Sequence, residues 1–99
     1  MKRRFEWDAA KAEINLHKHR ISFEMAAHAF ADPFALVEQD HIENGEHRWQ
    51  TLGIAEGYLL LLVAHTVWDD EDGAEVIRII SARRAEPKER KRYEQNYSL

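Results

Sequence analysis

The 99 residues can enclose one hydrophobic core but not two, so a single domain spanning residues 1–99 is expected. There is no cysteine, which removes disulfide frameworks and thiolate nucleophiles from consideration. The net charge of −4 hides an asymmetry: residues 38–75 carry ten acids against the single base Arg48, whereas residues 76–99 carry seven bases against three acids. A basic end on an acidic chain is a candidate phosphate-facing surface, and the acidic middle would repel nucleic acid or attract a basic partner.

In chain order, residues 2–6 form a short strand candidate, and nothing near them has the apolar run of a signal peptide. A soluble, cytoplasmic protein with no membrane segment is therefore expected. Asp8 is a good N-cap, and Ala9, Ala10 and Ala12 favour a helix to about His19. Its apolar side would be Ala9, Ala12 and Leu16, or Ala10 and Ile14; Lys11, Asn15 and Lys18 share another side. His17, Lys18, His19 and Arg20 fall where cations suit the helix dipole. Ser22 caps a second helix to about Ala31, with Ile21 and Ala26 as a hydrophobic staple. Phe23, Ala26, Ala27 and Phe30 make its core-facing stripe, and Asp32-Pro33 ends it.

Strands are expected at 35–40 and 47–54, separated by a polar loop at 41–45, with Gly53 a turn residue near the end of the second. After a turn at Glu56-Gly57, two apolar arms flank the acidic turn Asp69-Asp70-Glu71-Asp72-Gly73 and form an antiparallel hairpin at the sheet centre. If Trp68 faces Glu75, then His65 lies opposite Arg78 and Val63 opposite Ile80, and opposed residues share a face. A slip of one residue would separate His65 from Arg78. Pro87 suits the first turn of a last helix to about Tyr97, with Arg84, Lys88 and Arg92 along one side and Tyr93 packed on Tyr97. The order predicts an α+β domain: an antiparallel sheet of about four strands, two N-terminal helices and a C-terminal helix.

There is no glycine-rich phosphate loop, no nucleophile-elbow serine and no H-x-x-x-H pair, so neither a cofactor nor a metal is expected. The remaining bases, histidines and carboxylates suit metal-free RNA cleavage. There the substrate's 2′-hydroxyl attacks, and the protein supplies a proton acceptor, a proton donor and cations on the phosphate. His65 is the candidate proton-transfer group, with Glu46 the alternative base. Arg78 and Arg83 are the candidate phosphate ligands; five residues apart on a strand, they need a bulge or strand end to meet. Arg48, Arg84, Lys88 and Arg92 are candidate RNA contacts. Plainer assignments stand beside these: a core histidine, an edge arginine, and Arg83 paired with a carboxylate of the last helix.

Several segments also resemble the BrnT toxin family. These are Phe5-Glu6-Trp7-Asp8, Lys11, Asn15, Lys18-His19, Ser22-Phe23-Glu24 and Asp32-Pro33. Glu46-x-Arg48, Gly53, His65-Thr66, Ile77-Arg78-Ile79-Ile80-Ser81-Ala82-Arg83 and Glu89-Arg90-x-x-Tyr93 continue the match in order. The resemblance implies a RelE-like ribonuclease fold and a metal-independent endoribonuclease that halts translation. It also implies a BrnA-type ribbon-helix-helix antitoxin, with two toxins on an antitoxin dimer and operator DNA reached only through the antitoxin. Trp49, Trp68 and the C-terminal helix are candidate anchors for that partner. One departure stands out. After His-Thr the family often carries Glu-Arg and then Gly-Asp, whereas here Val67-Trp68 leads into the longer acidic turn. The alternative expectation is accordingly a non-catalytic antitoxin-binding and co-repressor module.

Overall fold

The computed structural model describes residues 2–97, apart from the side chain of Tyr97. Its elements are β1 (Arg3–Glu6), α1 (Ala9–His19), α2 (Phe23–His28) continued by a 3-10 turn (Ala29–Ala31), β2 (Leu36–Glu43), β3 (Glu46–Ala55), β4 (Leu59–Asp69), β5 (Glu75–Arg84) and α3 (Pro87–Tyr97). One sheet has the order β1-β5-β4-β3-β2. The expected four antiparallel strands are thus five, in a mixed sheet, because β1 joins β5 in parallel. The loop expected at 41–45 is mostly strand: β2 runs on to Glu43, and Asn44 and Gly45, both at positive φ, make a two-residue hairpin turn.

The helices begin where their caps say they should. The Asp8 carboxylate accepts from the Lys11 N–H and the Ser22 hydroxyl from the Met25 N–H. Ile21, Phe23, Ala26 and Ala29 pack on Leu61, Val63, Ile77, Ile79 and Ala82 on one face of the sheet, hereafter the helix side. On the opposite, open side, α3 is the one described helix that packs on the sheet, where Tyr93 meets Leu52, Leu60 and Leu62. The Asp32 carboxylate ties these layers together by accepting from the Tyr93 hydroxyl (2.6 Å) and the backbone N–H groups of Ile54 and Phe34. Burial pushes its pKa up, but these hydrogen bonds outweigh burial and hold it below the ordinary value. The expected Tyr93–Tyr97 contact falls on a side chain outside the described residues. Gly53 is no turn residue: it lies within β3 opposite Leu61, where a Cβ would stand 2.4 Å from the Ala29 carbonyl oxygen. Its bare backbone lets the 3-10 turn approach the sheet.

α1 sits differently from its apolar pattern. Ile14 and Leu16 are 64% and 46% exposed, and the buried residue of the helix is Asn15. The reason lies in β5. β1 pairs only with its first residues, Glu75 to Arg78, and leaves the edge beyond them open. Asn15 closes that edge. Its Nδ2 donates to the carbonyls of Ala82 and Ile21 (both 2.9 Å), and its Oδ1 accepts from the Ala82 N–H (3.0 Å). A side-chain amide here does the work of a strand residue. Asn15→Ala should strand these backbone groups and lower stability by about 3 kcal/mol, read from a denaturant midpoint. A loss under about 1 kcal/mol would show that α1 is held by other contacts.

Candidate nucleic-acid interface on the open side of the sheet

The β4–β5 register decides which side chains meet. Thr66, not His65, lies opposite Arg78, and His65 lies opposite Ile79. The pairing then shifts, so that Ala64 opposes Ser81, Val63 opposes Ala82 and Leu62 opposes Arg83. The expected pairs His65–Arg78 and Val63–Ile80 are therefore not formed: the hairpin is one residue out from the expected register, and Ile80 is the extra residue of a bulge. That bulge has a second effect. Leu62, Ala64 and Thr66 alternate onto the open side, so their partners Arg83, Ser81 and Arg78 share that side as well.

Away from the leucines under α3, two rows across the open side are mostly polar. Glu6 pairs opposite Arg78 on β1, and Glu38 opposite Gln50, Ala64's partner on β3. Arg48 immediately precedes Trp49, which shares His65's face, and so alternates onto the open side beside Thr66. Among the described residues, the buried side-chain nitrogen and oxygen atoms without a hydrogen-bond partner are Arg48 Nε, Thr66 Oγ1 and Arg92 Nε. All three belong to this side, since Arg92 reaches it from α3 to bond Glu38.

Between α1 and this surface lies a cleft of about 360 Å³ with Gln50, Leu62, Ala64 and Ser81 along its floor and Arg83, Lys18 and His19 along its walls. Lys18 and His19 follow Asn15 by three and four residues, so the helix face that stitches to β5 also delivers both side chains to the cleft. From sequence, Lys18 falls on Asn15's side of the helix and His19 takes a helix-dipole role; neither is a site candidate there.

The arginines are already partnered. Arg83 makes a two-pronged bond to the Glu89 carboxylate (2.9 and 2.8 Å), as one plain expectation had it. The Glu89 hydrogen bond holds Arg83's pKa above its ordinary value, and Arg83 in turn holds Glu89 below the usual carboxylate range. Arg78 bonds Glu6 (2.9 Å), and Arg48 lies 3.3 Å from Glu43 and 3.6 Å from Glu46. Glu46 thus borders the open side next to Arg48. Arg84, opposite Leu61, points to the other face, and Lys88 is exposed on α3.

His65 is 3% exposed on the helix side. Its Nε2 lies 2.8 Å from the Thr51 hydroxyl and its Nδ1 3.3 Å from the Thr66 carbonyl, while Phe30 packs edge-on at 4.9 Å. The tautomer that satisfies both contacts carries the proton on Nδ1. Burial pushes its pKa down to about 4. The described residues contain no group of three or more His, Cys, Asp or Glu side chains placed to hold a metal. No described helix is long and apolar enough to cross a membrane.

The model of a family described as the ribonuclease toxin BrnT of type II toxin–antitoxin systems matches residues 7–89. The chain belongs to the BrnT family. The crystal structure of the Brucella abortus ribonuclease toxin BrnT is 21% identical and superposes with a TM-score of 0.66, covering 86% of this chain and 99% of that one. At that identity it establishes a shared fold. No curated protein sequence gives a significant match. Membership of a type II toxin–antitoxin family implies an antitoxin partner.

Because His65 is neutral when folded and chargeable when unfolded, its contribution to stability is complete above pH 6.5 and is lost as pH falls toward 4. The loss should reach about 3 kcal/mol at pH 4. His65→Gln should flatten this part of the stability–pH curve; an unchanged curve would show that His65 titrates freely.

Proposed function

We propose that this BrnT-family chain is a metal-independent endoribonuclease that binds RNA on the open side of its sheet and cleaves it in the α1–β5 cleft. The observation that carries the reading is the convergence of Lys18, His19, Ser81 and Arg83 on one cleft, flanked by Arg78, Arg48 and Arg92 on the same side. A phosphodiester seated there meets Arg83 and Lys18, whose charges offset the negative charge that grows on the phosphoryl oxygens as the 2′-hydroxyl attacks. An imidazole suits proton transfer near neutral pH, and His19 is the one that lines the cleft. His65, with both ring nitrogens engaged on the other face, positions Thr51 and Phe30 instead. Glu46, at the edge of the open side, would act on RNA only as a neighbour of Arg48. This division of roles fits the RelE-like ribonuclease fold and the metal-independent endoribonuclease implied by the resemblance, with translation as the process halted. A BrnA-type antitoxin would neutralise it in the cytoplasm, two toxins to an antitoxin dimer, with operator DNA contacted only by the antitoxin.

A second reading, a partner-binding and co-repressor module without activity, has its own support. Arg78 and Arg83 are both held by carboxylates, and the arginine often found after His-Thr is here Val67-Trp68. RNA integrity and growth after induction of the chain alone decide between them. His19→Gln should slow cleavage by roughly a hundredfold or more, and Arg83→Ala or Arg78→Ala by a similar factor, each in a folded protein. His65→Gln should stay within about tenfold of wild type, since a group that transfers no proton lacks that catalytic factor. Cleavage should persist in EDTA. A His19→Gln variant as active as wild type would remove His19 from the chemistry, and an inactive wild-type chain would favour the module.

A further inference from the structure

The sheet has two edges. β1 offers four residues, whereas β2 offers the eight residues Leu36–Glu43, and no described element pairs with its outer side. An unpaired strand presents a row of backbone donors and acceptors to solvent. β2 is also unusual in what it exposes: Val37 and Ile42 are 55% and 58% accessible. These two are five residues apart and would fall on opposite faces of a regular strand. The irregularity between Gln39 and His41 brings them together, because Val37 opposes Thr51 and Ile42 opposes His47, both on the helix side. Glu38 and Glu43 oppose Gln50 and Glu46 and so stand on the open side, with Asp40 at the bulge between them. The edge therefore carries Val37 and Ile42, with Gln39 between them, on one face, and Glu38, Asp40 and Glu43, with His41 among them, on the other. Each of these acids has a basic neighbour within the chain, yet their side chains keep 42%, 55% and 39% of their exposure.

We propose that the outer edge of β2 is the docking edge for an extended segment of a protein partner that adds as a sixth strand. That segment alternates apolar residues, which cover Val37 and Ile42, with basic residues, which face Glu38, Asp40 and Glu43. A second copy of this chain is a poor occupant, because antiparallel pairing of two β2 edges would gather both sets of acids into one strip. At this outer edge, away from the α1–β5 cleft, the same charge disfavours RNA. A basic strand supplies the missing backbone partners and the opposite charge together. The identity of the partner as an antitoxin rests on the reading above; the chemistry of the edge does not.

The experiment is amide hydrogen exchange on the whole chain with two synthetic peptides, one alternating lysine with valine and one alternating glutamate with valine. The lysine peptide should slow exchange of outward-facing amides in residues 36–43 by roughly tenfold or more, with the effect weakened by raised salt. The glutamate peptide should not. Val37→Lys combined with Ile42→Lys, both at exposed positions, should abolish the protection and leave the fold intact by circular dichroism. Protection elsewhere only, equal protection by both peptides, no protection, or self-association through β2 would each overturn the proposal. Co-expression with the protein encoded by the adjacent reading frame separates the two readings. If a complex forms while β2 amides exchange as in the free chain, the docking edge fails and the toxin–antitoxin reading stands. If no complex forms and the lysine peptide still protects β2, the reverse holds.

Discussion

The side-chain amide of Asn15 holds the arrangement together. A helix laid against the end of a strand cannot satisfy that strand's backbone groups with its own, which are committed to its i to i−4 ladder. Asn15 resolves this by presenting one donor and one acceptor to Ala82, and a second donor bond to Ile21 just past the helix end. The cost of leaving those groups dry and unpaired is what makes the position of α1 definite. With α1 pinned there, Lys18 and His19 line the cleft at the rim of the open side. The cleft is thus a consequence of edge-capping, not a separate construction.

Two strand irregularities do the rest, and they act alike. A strand alternates faces with period two, so residues five apart are separated by the sheet. One extra residue reverses that parity. In β5 the shift at Ile80 gathers Arg78 and Arg83 on the open side; in β2 the shift at Asp40 gathers Val37 and Ile42 on the helix side. The same device gathers two arginines on one side in one place and two exposed aliphatic side chains on the other side in another.

The sequence was legible where the physics is local. Asp8 and Ser22 announced both N-terminal helices, the Phe23–Ala26–Ala27–Phe30 stripe found the core, and residues 59–84 formed the central hairpin. Register was not legible, because a one-residue slip changes neither composition nor alternation and is decided by the turn and by a bulge that leaves no signature in Ile79-Ile80-Ser81. That slip is why His65 parted from Arg78. The buried face of α1 was misread because its apolar residues, Ile14 and Leu16, stay exposed, while its anchoring residue is polar and meets its partners 67 positions away. Gly53 looked like a turn residue because close backbone approach is invisible until the 3-10 turn is placed over it.

The ion pairs on the open side differ in what they imply for an incoming phosphate. Arg78–Glu6 is a half-exposed pair, and such pairs contribute on the order of 0–1 kcal/mol, so exchanging Glu6 for a phosphate oxygen costs little. Arg83–Glu89 is another matter: the contact is two-pronged, and the Glu89 side chain is only 13% exposed. Yet Glu89 does not depend on Arg83. It also accepts from the Glu86 backbone N–H (2.8 Å), capping the start of α3 in the manner of an N3 carboxylate. If Arg83 swings toward the cleft, Glu89 keeps a structural hydrogen bond and remains at a helix N-terminus, where its charge is favoured. The carboxylate that occupies Arg83 in the free chain can therefore release it without being stranded. Its fork-to-fork geometry with Arg83 is also the one a phosphate would adopt.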